Sequence, residues 1–287
     1  MIFKDELNEK GYVVIPDILT NNEIHRAKTM FYNWVSKLQN IDEIHKNINP
    51  HGIFKYHQAG HTEHAWYIRT LENVQTPFKQ FYETDDLIVS FDSCCWINNT
   101  MYKKRDNCWT HTDQAPYLNN FECLQGFVSL TNNEKTSLVV YEGSHKLHKN
   151  YFETRGINHK KNWNKIDEEY LKEIESTKKV LNVNAGSLVL WDSRTFHQNQ
   201  YGNPNCEERI VQYVCYLPKT HKKNTSANKK KRRKYFEEMR TTSHWPAPLR
   251  VNSLQPQTYG DKKKLIDYTN LKSPNLSEYE EKIDRLI

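Results

Sequence analysis

The sequence predicts an all-β core with flanking α-helices, folded as a double-stranded β-helix of the jelly-roll, cupin-like kind. Three observations lead there. Seven short segments rich in β-branched and aromatic residues follow one another at residues 87–97, 107–114, 122–130, 137–142, 179–183, 187–192 and 208–217. Turn residues or long insertions separate them, as between the strands of a layered β-fold. Helical periodicity is confined to the ends of the chain and to one insertion, and no internal repeat is present.

The elements justify this in order. A short polar helix opens the chain, and Gly11-Tyr12-Val13-Val14-Ile15-Pro16-Asp17 reads as a strand closed by proline. Thr20 or Asn21 can cap a helix running to about residue 38, because Ile24, Ala27, Phe31, Trp34, Val35 and Leu38 form one apolar stripe. That stripe is expected to pack on the β-core. Residues 40–65 are polar and carry His45, His51, His57, His61 and His64. No cysteine accompanies them and their spacing fits no tetrahedral site, so a solvated loop over the mouth of the site is expected. A short helix is expected over residues 74–82, with Pro77 near its start. Within the β-core, residues 150–177 are an insertion containing a helix over 167–174. Beyond Pro218, residues 229–239 read as a helix, and prolines break the polar remainder until a final helix over 277–286.

Composition sets limits. The chain has 287 residues, 37% of them hydrophobic and 12% aromatic, so bulky aromatic side chains supply much of the core. No run of 18 apolar residues and no secretory leader pattern is found, which predicts an intracellular protein, cytoplasmic or nuclear, with no membrane partner. Six cysteines without Cys-x-x-Cys spacing suit small buried side chains rather than a disulfide framework. Net charge is +6, yet residues 219–234 hold nine basic residues and no acid, so the rest of the chain is net negative. Such a run is a solvated face, an import signal or a phosphate-binding segment.

The chemistry concentrates in His111-Thr112-Asp113 and, 86 residues on, in His197 of Trp191-Asp192-Ser193-Arg194-Thr195-Phe196-His197. Side chains at i and i+2 of an extended strand share a face, so His111 and Asp113 can reach one ion from one strand. A second imidazole from a distant strand completes two nitrogens and one carboxylate. That donor set covers one face of an octahedron and leaves the other open, as in non-haem Fe(II) oxygenases. Arg209, 12 residues beyond His197 in a β-rich segment, can grip a carboxylate with its planar fork. Arg194 is a rival anchor, although it precedes the ligand and can face outward.

With Trp109-Thr110-His111-Thr112-Asp113-Gln114, the strand from Val139 to the Gly143-Ser144-His145 turn, Gly186-Ser187-Leu188-Val189-Leu190-Trp191-Asp192 leading to His197, and Arg209 in view, the chain resembles the phytanoyl-CoA dioxygenase family. These pieces span roughly residues 85–220. Residues 66–92 bear a weaker similarity to uncharacterised members of the family, and the Gly11–Pro16 opening resembles the family's N-terminal start. The resemblance implies Fe(II) held by His111, Asp113 and His197, with 2-oxoglutarate and O2 as co-substrates and Arg209 on the far carboxylate of the oxo acid. It implies hydroxylation of a C–H bond through a ferryl species, and Asp113 in the ligand set disfavours halogenation. It also implies an oxygenase domain over residues 1–220, N-terminal helices included, with residues 221–287 as a basic, polar extension packed on it.

Other residues follow from their neighbourhood. Gln125 is expected to hydrogen-bond the co-substrate, Trp109 to wall the pocket, and His145 to stabilise its turn. Ser90 and Asp92 are candidates to face the pocket, and Arg69, Asp92, Arg240 and His244 are candidates for substrate contact, since flanking loops set specificity. No coenzyme-A-handling feature is found, so acyl-CoA is not expected. A small-molecule substrate is the first expectation. The alternatives are the same chemistry on a nucleic acid or protein held by the basic run at 219–234, or an inactive binding scaffold.

Overall fold

The fold comes from a computed structural model, which describes residues 2–38, 41–98, 107–202, 206–269 and 271–287. Helix α1 (Ile2–Lys10) leads into strand β1 (Tyr12–Ile15), and α2 (Asn21–Val35) follows. Thr20 caps α2 in a capping box with Glu23, and the buried side of α2 is Ala27, Phe31 and Val35, as its stripe predicts. Helices α3 (Ile41–Ile48), α4 (Glu63–Arg69) and α5 (Glu72–Tyr82) precede the β-core. Pro77 stands in the middle of α5 rather than near its start, because the helix begins two residues earlier than the apolar pattern suggests.

The β-core strands are β2 (Leu87–Val89), β3 (Cys94–Ile97), β4 (His111–Thr112), β5 (Leu124–Ser129), β6 (Leu138–Tyr141), β7 (Asn164–Lys165), β8 (Lys178–Val180), β9 (Leu188–Asp192), β10 (His197–Asn199) and β11 (Arg209–Pro218). They form two antiparallel sheets. One runs β1-β9-β5-β11-β2, with β3 also paired to β11, and the other runs β7-β4-β10-β6-β8. Helix α6 (His148–Thr154) and helix α7 (Glu168–Glu173) lie in the insertion, and α8 (Ser226–Glu237) and α9 (Glu280–Leu286) close the chain.

Side-chain alternation assigns the two faces of the larger sheet. Leu188, Leu190, Leu124, Val128, Ile210, Val214 and Tyr216 face outward onto Phe31, Trp66, Ile68, Val74 and Phe78 of the helices. Val189, Trp191, Phe127 and Val211 face inward onto Leu138 and Val140 of the smaller sheet. Both faces are therefore buried, which explains why β9 and β5 read as apolar runs rather than as alternating strands. Leu249, Tyr279, Ile283 and Leu286 from the C-terminal segment join the outer cluster.

Two expectations are corrected. The segment at 87–97 is not one strand. Val89 opposes Tyr216 and Cys94 opposes Gln212, so four residues face three on β11 and the strand bulges at residues 90–93. Nor is the stretch from residue 41 to 65 a solvated loop; residue 40 lies outside the described residues. His45, His57, His61 and His64 are buried. His45 stacks on Phe54 at 4.2 Å and its Nε2 donates to the Trp96 carbonyl at 2.7 Å. These imidazoles are polar aromatic core, a role that composition does not disclose. No bridge joins the cysteines; the thiols of Cys123 and Cys215 lie 3.3 Å apart as free groups.

Candidate metal centre

The register of the smaller sheet brings the two histidines together. His197 of β10 is the direct antiparallel partner of His111 of β4, so both imidazoles project from the same face. Asp113 follows two residues after His111, just past the end of β4, with its N–H bonded to the Ser193 carbonyl at 3.0 Å. Asp113 Oδ2 lies 3.6 Å from His111 Nε2 and 3.4 Å from His197 Nε2. One ligating atom from each of the three lies within 4.8 Å of the others, and all three residues are buried. Donors about 2.1 Å from one ion and at right angles stand about 3 Å apart, so a small inward adjustment suffices.

The tautomers fit as well. His111 Nδ1 donates to the Trp109 carbonyl at 3.2 Å and His197 Nδ1 to the Thr195 carbonyl at 2.9 Å, which leaves both Nε2 lone pairs aimed at the shared centre. Burial, then the charge of His197, lowers the His111 pKa. Burial opposes ionisation of Asp113, but the neighbouring His244 and His111 hold its carboxyl well below the usual range. A neutral His111 imidazole beside an ionised Asp113 carboxylate suits metal ligation.

The loop that delivers His197 is fixed from the N-terminus. The Gly11 carbonyl accepts from Thr195 Oγ1 at 2.8 Å and from the Asp192 N–H at 3.0 Å. Gly11 has φ +84, and any Cβ there would collide with His145 and Thr195. Ser144 Oγ accepts from the Phe196 N–H at 2.9 Å, and His145 Nε2 donates to the Asn8 carbonyl at 3.1 Å, so the Gly-Ser-His turn does hold loop geometry.

A cavity of about 440 Å³ opens on His111, Asp113 and His197. Trp109 and Gln125 line it, and Gln125 Nε2 donates to Asp113 Oδ2 at 3.1 Å, orienting the carboxylate. Asp92 enters from the bulge between β2 and β3. Burial pushes its carboxyl up to about 7, against the hydrogen bond from the Ser93 N–H and the nearby Arg69 charge. His244 also lines the cavity, with Nε2 buried and without a hydrogen-bond partner; burial lowers its pKa while Asp113 opposes the shift.

Arg209 is buried inside the fold but is not part of the cavity lining. It shares the inward face of β11 with Val211 and Tyr213, and Tyr213 does line the cavity. Its Nη1 donates to Cys95 Sγ at 3.3 Å, its guanidinium lies 5.0 Å from the Phe127 ring centre, and Nη2 has no hydrogen-bond partner. Arg194 is no rival, because it folds back onto Asp192 with Nη2 2.6 Å from Oδ2.

Two substrate candidates are displaced. Arg69 is fully buried and donates to the Gly60 carbonyl at 2.6 Å and to the Asp92 carbonyl, so it braces the bulge without reaching the cavity. Arg240 lies outside the lining, with Nη2 on the Asn252 carbonyl at 3.1 Å. Ser90 is buried and also outside the lining. The basic run is partly engaged within the fold. Arg232 is buried against Asn224 and the Pro246 carbonyl, Arg233 pairs with Asp284 at 3.0 Å, and Lys223 pairs with Glu122 at 2.8 Å.

Sequence reasoning missed His51, Trp163, Asn199, Tyr213 and Trp245, all in the lining. Tyr213 carried a signal, since it lies on the same face of a recognised strand as Arg209. Trp163 carried none, because it stands in an aperiodic insertion.

The comparisons agree with this geometry. The sequence profile of the phytanoyl-CoA dioxygenase (PhyH) family matches residues 7–200. Ava biosynthesis cluster protein O of Aspergillus versicolor is 26% identical over 271 residues, covering 85% of each chain. Among solved structures, the epimerase SnoN, in complex with Fe3+, alpha ketoglutarate and nogalamycin RO, aligns with TM-score 0.51 and 14% identity over 76% of this chain and 83% of its own. EctD from S. alaskensis, with 2-oxoglutarate and 5-hydroxyectoine, aligns with TM-score 0.50 and 16% identity over 75% and 74%. HygX from Streptomyces hygroscopicus, with nickel, 2-oxoglutarate and hygromycin B, gives 0.50 and 13% over 76% and 87%. The family match covers more than half of the chain and spans the His111, Asp113 and His197 cluster, so this protein belongs to the phytanoyl-CoA dioxygenase family and is a 2-oxoglutarate-dependent dioxygenase that uses Fe(II), 2-oxoglutarate and O2.

Proposed function

We propose that the protein hydroxylates a small molecule held in the cavity beside His111, Asp113 and His197, which hold the iron. The observation that carries this reading is the cross-strand pairing of His197 with His111, with Asp113 alongside and the open side turned to a cavity of about 440 Å³. That volume suits 2-oxoglutarate and a compact substrate, within the usual range for small-molecule sites. Small molecules are also present with the neighbouring SnoN and HygX, nogalamycin RO and hygromycin B respectively.

When bound, iron and the oxo acid together supply an oxidant able to take hydrogen from an unactivated C–H bond. The protein's own groups do the rest. Gln125 holds Asp113 in its ligating orientation by the bond to Oδ2. Arg209 supplies the cation for the far carboxylate of 2-oxoglutarate, from the inward face of β11. Asp92 and His244 face the substrate as a carboxyl whose pKa is raised to about 7 and an imidazole whose pKa is lowered by burial, each able to hydrogen-bond it. Apolar and aromatic walls exclude water from the reacting centre.

The test is iron-dependent conversion of 2-oxoglutarate to succinate by the purified protein. His111→Ala abolishes it if the reading is right. Equal succinate formation by that variant, or without added iron, overturns it.

A further inference from the structure

We infer that Trp163 is a stacking platform that selects substrates with a flat aromatic or conjugated ring. This rests on the small-molecule reading above and narrows it. Four of the seven tryptophans, Trp109, Trp163, Trp191 and Trp245, line the one cavity. Of the exposed large apolar side chains among the described residues, Trp163, at 52% exposure, is the one that lines it. A single exposed indole is ordinary on a protein surface, but this one joins three other indoles around a cavity that opens on the candidate metal centre, the setting of an apolar ligand site.

The indole is held in place. Its neighbour Asn164 begins β7, which pairs with β4 in the register Thr112↔Asn164 and His111↔Lys165. Asn164 Nδ2 lies within 3.2 Å of the Gln114, Lys161 and Asn162 carbonyls. The strand that carries the first metal ligand therefore also fixes the backbone of Trp163.

The ring orientation supports stacking. His51, Trp109, His111 and Trp163 form a ladder of nearly parallel rings. Successive centres are 3.6, 4.9 and 5.4 Å apart, with interplanar angles of 14°, 18° and 29°. Trp163 is the last rung. One indole face covers the ligand His111, and more than half of the side chain remains exposed. A flat ring laid on it would extend the ladder at little conformational cost, because the platform is already ordered. A merely protective role for His111 needs apolar cover but no ring, and substitution separates the two.

The experiment uses full-length protein loaded with Ni(II) and 2-oxoglutarate, which binds without turnover. Binding of 2-naphthol and of its saturated counterpart decahydro-2-naphthol is measured by calorimetry for wild type, Trp163→Phe and Trp163→Leu. The expected result is about fivefold tighter binding of the aromatic probe by wild type, kept in the phenylalanine variant and lost in the leucine variant. Equal affinity for the two probes in wild type, no binding of 2-naphthol, or an undiminished preference in Trp163→Leu overturns the assignment. Succinate formation without added substrate is measured in parallel on wild type. That readout is joined by binding of 2-oxoglutarate to the Ni(II)-loaded protein, and absence of such binding in wild type would sink the metal-centre reading, whereas loss of the aromatic preference alone would sink only the role of Trp163.

Discussion

Arg209→Met removes a buried cation and keeps an apolar chain of similar reach. Arg209 is 1% exposed, and among the described residues no carboxylate pairs with it. Its contacts are a thiol at 3.3 Å and an aromatic ring at 5.0 Å, and Nη2 has no partner. A buried charge without a counter-ion costs several kcal/mol, so the ligand-free methionine variant should melt at or above the wild-type temperature. Binding should move the other way. Truncating one partner of a buried charge pair costs about 2–5 kcal/mol. That range corresponds to a rise of roughly thirtyfold to several-thousandfold in the KM for 2-oxoglutarate. The assays are succinate formation against 2-oxoglutarate concentration, and thermal melting with and without the oxo acid. Wild type gains about 2.7 kcal/mol of stability at a hundredfold excess over Kd. The variant should gain at most about 0.9 kcal/mol at that concentration. A KM within threefold of wild type would refute the carboxylate role, and a large fall in the ligand-free melting temperature would make Arg209 a structural residue instead.

Other outcomes follow from the same geometry. Gln125→Leu removes the bond that orients Asp113 and should weaken iron binding about 10- to 100-fold with little change in melting temperature, measured by metal titration. Stability should fall on acidification. His61 and His64 are lowered to about 3, and His57 and His148 to about 4, chiefly by burial. The unfolded chain therefore takes up protons below pH 6.5 that the folded chain refuses, and each group removes up to about 1.4 kcal/mol per pH unit. Asp92, raised to about 7, works in the opposite direction and offsets about one of the four. The net loss between pH 6 and 5 is roughly 4 kcal/mol, and a flat melting profile over that interval would contradict it. Because Arg232, Arg233 and Lys223 are engaged within the fold, random-sequence DNA should show no steep salt-dependent binding, checked by fluorescence anisotropy at low and physiological salt.

The His111–Asp113–His197 cluster was legible in the sequence because two of its members stand at i and i+2 and the third follows a recognisable strand. The expectation that His111 and Asp113 share a face needed only local backbone geometry. The helix at Asn21–Val35 was legible for the same reason, since its cap and stripe are local. The buried histidines of α3 and α4 were misjudged, because a polar composition does not reveal that a carbonyl or an aromatic ring waits for each imidazole. Arg69 and Arg240 were misplaced for a related reason. A charged residue near a site in sequence can be satisfied by backbone carbonyls that only the folded chain brings near.

By itself the sequence determined which chemistry is possible here: two imidazoles, one carboxylate and one buried-strand arginine, in an order that suits a layered β-fold. Only the tertiary structure decided what surrounds them. The His197↔His111 pairing, the bulge that carries Asp92 inward and the β7 pairing that holds Trp163 all depend on residues far apart in the chain. Strand periodicity is a local property and can be read residue by residue. Strand register is a property of the whole packed sheet, and it is register that sets one ring over another and aims a ligand at an ion.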